Sequence, residues 1–227
     1  MPGPKGDDLA LLTDAARAAG DIARRYFKSD PQIWDKSDGQ GPVTQADLEI
    51  DAMLKSRLQS ARRDYGWLSE ETDDDPTRLT QSQVFIVDPI DGTRAFIEGS
   101  AHWSHSLAIA QNGQITAAAV YLPMLDRMFT AQANGGAYLN GSPIQVSGRN
   151  DADGATILAH KANFQAHHWP GPGGMPNMKR AFRSSLAYRL CLVAQGRPHS
   201  WSLTTISNPA NMLATGCNAR NGFASLW

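Results

Sequence analysis

The run VFIVDPIDGTRAF, residues 84–96, decides how the rest of the chain is read. Val84, Phe85, Ile86 and Val87 are β-branched or aromatic, with no polar residue between them, and read as a short buried strand. That strand delivers Asp88 at its end. Pro89 has no N–H to give to a central strand, so the chain is expected to turn there and to leave Asp91 beside Asp88. Gly92 permits an unusual backbone angle or a close approach by a ligand. Two carboxylates held together repel unless a cation or a proton lies between them. A site built of oxygen ligands suits Mg²⁺, which keeps waters and phosphate oxygens in its shell. D-P-x-D-G is also the composition of an ordinary turn with Asx capping, so the surrounding sequence has to decide.

Working outward, Leu9, Leu12, Ala16, Ala19, Ala23 and Tyr26 recur at helical spacing and predict a helix over 7–28. Residues 30–42 are rich in breakers and read as loop. A second helix is expected over 45–61, with Ile50, Leu54 and Leu58 on one stripe, and Thr44 with Asp47 three later fits a capping pattern. Downstream, LAIAQNGQITAAAVYLP (107–123) flanks Asn112-Gly113 with apolar runs, a strong hairpin signal. A second hairpin region has turns at Asn134-Gly135 and Asn140-Gly141. Residues 167–178 read as loop, and 183–196 as a further helix with Leu186, Leu190 and Val193 facing inward. Helices followed by a mostly antiparallel sheet make an α+β order. The expected organisation is an α+β domain over 1–150 that carries the carboxylates, and a shorter α/β domain over 151–227.

Composition bounds the partners. The 227 residues carry a net charge of −1, which predicts no nucleic-acid or membrane partner. No apolar run approaches the roughly 18 residues of a membrane span, and MPGPKGDDLA lacks the build of a signal peptide. Cys191 and Cys217 form neither a metal spacing nor a disulfide framework. A soluble cytoplasmic protein is the expectation. The charge is unevenly spread: all 22 acidic residues lie at or before Asp153, and seven of the 21 Lys and Arg lie beyond it. The seven are scattered without interleaved aromatics, which argues against a nucleic-acid-binding tail.

Lys36, PVTQAD (42–47), SEET (69–72) and DPIDGT (88–93), in this order, resemble the inositol monophosphatase family of Mg²⁺-dependent, lithium-sensitive phosphatases. GAYLNGSPIQVS (136–147) and SLAYRLCLVAQGR (185–197) look like family segments too. The resemblance implies the layered α/β/α/β/α sandwich of the inositol monophosphatase/fructose-1,6-bisphosphatase type, and a homodimer. It implies two or three Mg²⁺ ions. Glu70, Asp88 and the Ile90 carbonyl match ligands of the first, and Asp88 and Asp91 match ligands of the second. Thr93 and Asp47 match the pair that orients and deprotonates the attacking water, and Lys36 matches the family's lysine and joins the catalytic group. Gly92 and Thr93 offer backbone N–H groups to the phosphate. Arg94 is a candidate for a second phosphate, since a guanidinium suits phosphate oxygens, and equally an ordinary surface charge. DGTRAFIEG resembles the bisphosphate nucleotidase and histidinol-phosphatase branches, and favours the first. The implied activity is hydrolysis of a small phosphorylated metabolite: a 3′(2′),5′-bisphosphate nucleotide or an inositol monophosphate. Glu71 is expected as a neighbour of the site, Asp73, Asp74 and Asp75 as a solvated run, and the histidines as no metal site.

The resemblance breaks after Arg197. The family's W-D motif, whose aspartate matches a second-metal ligand, has no counterpart: Trp201 is followed by Ser202, and residues 154–227 contain no acid. The expectation is that 198–227 is read out of the ancestral frame or truncated. The alternative to an active phosphatase is then a catalytically weakened relative that acts as a binding protein.

Overall fold

The computed structural model describes residues 7–36, 41–149, 151–169, 171–196 and, as backbone, 200–202. Helix α1 (Asp8–Tyr26) opens where the Asp7 carboxylate accepts the Leu9 N–H and closes with Arg24 and Arg25 against its negative end. Its buried stripe is Leu12, Ala15, Ala16, Ala19, Gly20 and Ala23. Residues 30–42, expected as loop, contain part of an antiparallel ladder, β1 (Ile33–Asp35) and β2 (Pro42–Thr44), with Trp34 opposite Val43. Ile, Trp, Val and Thr are strand formers, and here they outweigh the Gly and Pro signals around them. Helix α2 (Gln45–Ala61) then starts on a complete capping box: Thr44 Oγ1 accepts the Ala46 and Asp47 N–H groups, and Asp47 accepts the Thr44 N–H. Ile50, Leu54 and Leu58 form its fully buried stripe, as the spacing predicts.

A seven-stranded sheet follows, ordered β3 (Gly66–Ser69), β4 (Gln83–Asp91), β5 (Ser104–Gln111), β6 (Gln114–Leu122), β7 (Arg127–Gln132), β8 (Gly136–Leu139) and β9 (Ser142–Ile144), with the short helix α3 (Thr93–Ile97) after β4. The β3–β4 pair is parallel and every other pair antiparallel. Two of the three predicted Asn-Gly turns have positive φ at each residue, 50° and 77° at Asn112-Gly113 and 48° and 79° at Asn140-Gly141, whereas at Asn134-Gly135 the positive angles fall on Asn134 (61°) and Gly136 (83°).

Both faces of this sheet are covered, and the side chains sort by alternation. Phe85, Val87, Leu107, Ile109, Ala117, Ala119, Tyr121 and Met128 pack under α1 and α2. Ala108, Ala118, Val120, Leu122, Phe129 and Ala131 face the other way, toward helix α4 (Leu186–Ala194). A second, all-parallel sheet holds β10 (Thr156–Leu158) between β11 (Lys179–Ala181) and β12 (Ser200–Ser202). The result is a layered sandwich of helices and sheets. Helix α4 presents a different face from the one expected: Ala187, Tyr188, Cys191 and Leu192 are buried, whereas Leu186, Leu190 and Val193 are half-buried. A nine-residue helix that is apolar nearly all round carries too little periodic signal to choose its inner face.

Helix α1 approaches the sheet closely at Gly20. A Cβ there would lie 2.7 Å from Tyr121 Cε1 and 3.2 Å from Pro123 Cγ. The Tyr121 ring is held, since its hydroxyl accepts from Arg24 and donates to Asp126. Gly20→Ala gains about 1 kcal/mol of helix propensity, but the overlap with a fixed ring costs roughly 1–3 kcal/mol. The variant is expected to lower the urea midpoint without changing the slope of the transition.

Candidate active site

The site is organised by an irregularity in β4. The strand does not turn away at Pro89, as the missing N–H suggests, but continues to Asp91. Asp88 pairs with Ser106 and Asp91 with Ser104, so Pro89 and Ile90 together stand opposite His105. That is a β-bulge, where Pro is tolerated because the ladder is locally interrupted. In a regular strand, residues three apart point to opposite faces. The extra residue cancels that alternation and brings Asp88 and Asp91 into each other's field. Gly92 follows with φ 95°, an angle that strains other residues, and a Cβ on it would lie 3.2 Å from the backbone N of Ser185. The unusual backbone angle foreseen for Gly92 is present, and the start of α4 lies close against it.

Burial pushes the Asp88 carboxyl well above the usual carboxylate range, and Asp91, Glu70 and Asp47 push it further. Its Oδ1 is buried and has no hydrogen-bond partner among the described residues. Burial raises Asp91 as well, against the donors that hold it: the Ser185 hydroxyl at 2.6 Å, and the Ala187 and Leu186 N–H groups at 2.7 Å and 3.2 Å. Ser185 is fully buried and is itself bonded to Ser104 at 3.0 Å. Asp91 therefore sits at the N-terminal end of α4, where the helix dipole favours an anion.

The Thr93 hydroxyl lies 3.0 Å from the Ile90 carbonyl and 3.3 Å from Asp47 Oδ1. Asp47 is fully buried, and burial raises its pKa against the lowering effect of Thr44 and Lys36. Glu70 is placed by its N–H on the Val87 carbonyl at 3.1 Å. Lys36, its side chain 12% exposed, donates to Glu70 and Glu71 at 2.7 Å each. Burial pushes Glu71 up and Lys36 opposes it. Asp51, on the buried face of α2, accepts from Ser69 and Thr72 and so clamps the loop that bears Glu70 and Glu71.

Asp47, Asp88, Ile90, Asp91, Thr93 and, through the pairing of β3 with β4, Glu70 are thus brought together, with Lys36 on the acidic pair. Arg94 is exposed, with its guanidinium near Gly41, and makes no ion pair with a described residue. Asp73, Asp74 and Asp75 lie on the surface, and Asp74 pairs with Arg78. The sequence reading missed Ser104, Ser185, Asp51 and His105. Each acts through a partner distant in sequence and carries no local signature. Residues 203–227, where the W-D motif was sought, lie outside the described residues.

Among the described residues, no three Asp, Glu, His or Cys side chains stand close enough to enclose an ion by themselves. The donor set is all oxygen, it repels itself, and it holds one buried unpartnered acceptor on Asp88. It fits a hard cation that retains water and substrate in its shell, and does not fit a closed protein cage.

The family model for the inositol monophosphatase family matches residues 7–205. The chain belongs to the inositol monophosphatase family. The match runs eight residues past Arg197, where the resemblance was expected to stop. A histidinol-phosphatase from Chlorobaculum parvum is 32% identical over 152 residues, which are 66% of this chain and 58% of the relative. An inositol-1-monophosphatase from Rhizobium meliloti is 36% identical over 150 residues, 66% of this chain and 56% of the relative. The chain thus spans a little over half the length of these curated relatives. The solved structure of the suhB extragenic suppressor protein from Bartonella henselae superposes with a TM-score of 0.74 at 25% identity, covering 94% of this chain and 84% of that one. A Thermotoga maritima IMPase has the same fold, with a TM-score of 0.72.

In this member of the family, the crowding at Asp88 predicts a substitution that stabilises the metal-free protein. Asp88→Asn removes a buried charge from among like charges and is expected to raise the melting temperature in EDTA at pH 7 by about 2–4 °C per kcal/mol gained. A raised carboxyl pKa means the folded state binds its proton more tightly, so stability is lost as pH rises from the unfolded value through the folded one. The gain over wild type should therefore shrink as pH falls toward the ordinary aspartate value and be smallest below it, where Asp88 is protonated in both states. Melting curves across pH check both statements.

Proposed function

We propose that this chain is a Mg²⁺-dependent phosphatase that hydrolyses a small phosphomonoester by direct attack of water. The observation that supports the reading is the juxtaposition of the unpartnered Asp88 oxygen and Asp91 with the buried Asp47–Thr93 pair. Glu70, Asp88 and the Ile90 carbonyl would hold a first cation and Asp88 and Asp91 a second, and such ions would neutralise the phosphate and lower the pKa of a water. Thr93 orients that water and passes its proton to Asp47, whose raised pKa makes it a better base than an exposed aspartate. The water oxygen bonds to phosphorus, the P–O bond to the leaving group breaks, and the departing alkoxide takes a proton from solvent. Gly92 and Thr93 N–H groups hold the phosphate oxygens. Lys36 holds Glu70 and Glu71 in place and offsets their charge.

For the substrate we carry a 3′(2′),5′-bisphosphate nucleotide or an inositol monophosphate, with histidinol phosphate beside them because one relative bears that activity in its name. The exposed Arg94 is our candidate for meeting a second phosphate. The setting we propose is a cytoplasmic homodimer, without nucleic acid or membrane. No helix among the described residues is long and apolar enough to cross a membrane.

A second reading rests on the lack of any acid in residues 154–227. With no carboxylate from that half, the second cation is held by fewer charges, turnover is low, and the protein serves mainly to bind its ligand.

Phosphate release from the three substrates across a Mg²⁺ titration, with and without Li⁺, separates the readings. The first predicts Mg²⁺-dependent, Li⁺-inhibited release that Asp47→Asn reduces by roughly 10²–10⁴-fold. The second predicts substrate binding with little release at any Mg²⁺ concentration. Neither binding nor release from folded protein would contradict both.

A further inference from the structure

We propose that His105 is a positioning residue for the carboxylate pair: its Nδ1–H takes up the carbonyl that the β4 bulge strips of its ladder partner, and so fixes the geometry of Asp88, Ile90 and Asp91. His105 is the single residue on β5 opposite the two extra-spaced residues Pro89 and Ile90. A bulge leaves backbone groups without their regular partners, and a buried one left unpaired costs free energy. Here the two successive carbonyls are sent to different side chains. The Pro89 oxygen lies 2.5 Å from His105 Nδ1, and the Ile90 oxygen accepts from Thr93 at 3.0 Å. With Pro89 anchored, its neighbour's carbonyl is left to the Thr93 hydroxyl.

The ring has one way to make this bond. A carbonyl only accepts, so the proton must sit on Nδ1. His105 is fully buried, and burial holds it down to about 4, so at neutral pH it is uncharged with a single N–H. Its Nε2 makes no hydrogen bond among the described residues. Trp103 packs edge-on against the ring at 5.4 Å and is itself edge-on to Phe96 at 5.0 Å. A residue that is buried, neutral and bonded through one nitrogen to the bulge has no role in proton transfer. Its effect is on where the ligands stand.

The inference rests on the cation site proposed above, and the test keeps the two apart. In His105→Asn the side-chain amide N replaces Nδ1 as donor. In His105→Gln the amide lies one carbon further out, and His105→Leu has no donor. Calorimetric Mg²⁺ binding to the full chain should be weakened by at least about tenfold in the Leu and Gln variants and should stay within about threefold of wild type in Asn. Leu or Gln binding Mg²⁺ as wild type does, or Asn weakened as much as they are, would overturn the proposal. If Leu fails to fold, the Asn–Gln comparison decides. If the wild type itself binds no Mg²⁺, the site reading fails, and amide hydrogen exchange still tests His105. Exchange at Ile90 and Asp91 should be faster by roughly tenfold in Gln than in Asn. Equal exchange in the two would overturn it.

Discussion

Two carboxylates forced together by one extra residue in a strand are the constraint on which this molecule turns. At about 4 Å and an effective dielectric near 20, like unit charges repel by roughly 4 kcal/mol. A chain does not hold that arrangement without a structural cause, and the cause is visible. The bulge between Asp88 and Asp91 brings them together, and the start of α4 locks Asp91 with three donors. Asp88 is left with an oxygen that nothing among the described residues satisfies. Such crowding costs stability, and strain of this kind concentrates at functional sites.

The remaining layers hold that point steady. The sheet is buried on both faces, so β4 cannot shift register without moving apolar side chains on both sides. Helix α2 contributes twice through residues four apart on its buried face: Asp47 to the Thr93 hydroxyl, and Asp51 to the loop of Glu70 and Glu71. The capping box that starts α2 is also what fixes Asp47, since the carboxylate oxygen that accepts the Thr44 N–H leaves the other one facing Thr93. Helix capping and the candidate chemistry share one side chain.

Much of this was legible in the sequence where the signal was local. The capping box at Thr44, the Asn112-Gly113 and Asn140-Gly141 turns and the Ile50–Leu54–Leu58 stripe each depend on residues within a few positions of one another, and each is found as expected. The juxtaposition of Asp88 and Asp91 was legible too, although its cause was misread. A proline signals that the ladder is interrupted, but not whether the strand ends or bulges. Long-range partners were not legible. Ser185 meets Asp91 across 94 positions, and His105 meets Pro89 only because the register of β5 places it opposite the bulge. The inward face of α4 was misjudged for a related reason: neighbouring layers, and not its own periodicity, decide which side is buried.

The central claim is that the Asp88–Asp91 pair is held for a cation. The most direct measurement is electron paramagnetic resonance of Mn²⁺ added to metal-stripped protein, since Mn²⁺ shares the oxygen-rich octahedral preference of Mg²⁺. The account predicts a saturable loss of the free-ion signal, with at least one ion bound per chain and displaced by excess Mg²⁺. A free-ion signal unchanged by folded protein at millimolar Mn²⁺ would contradict it.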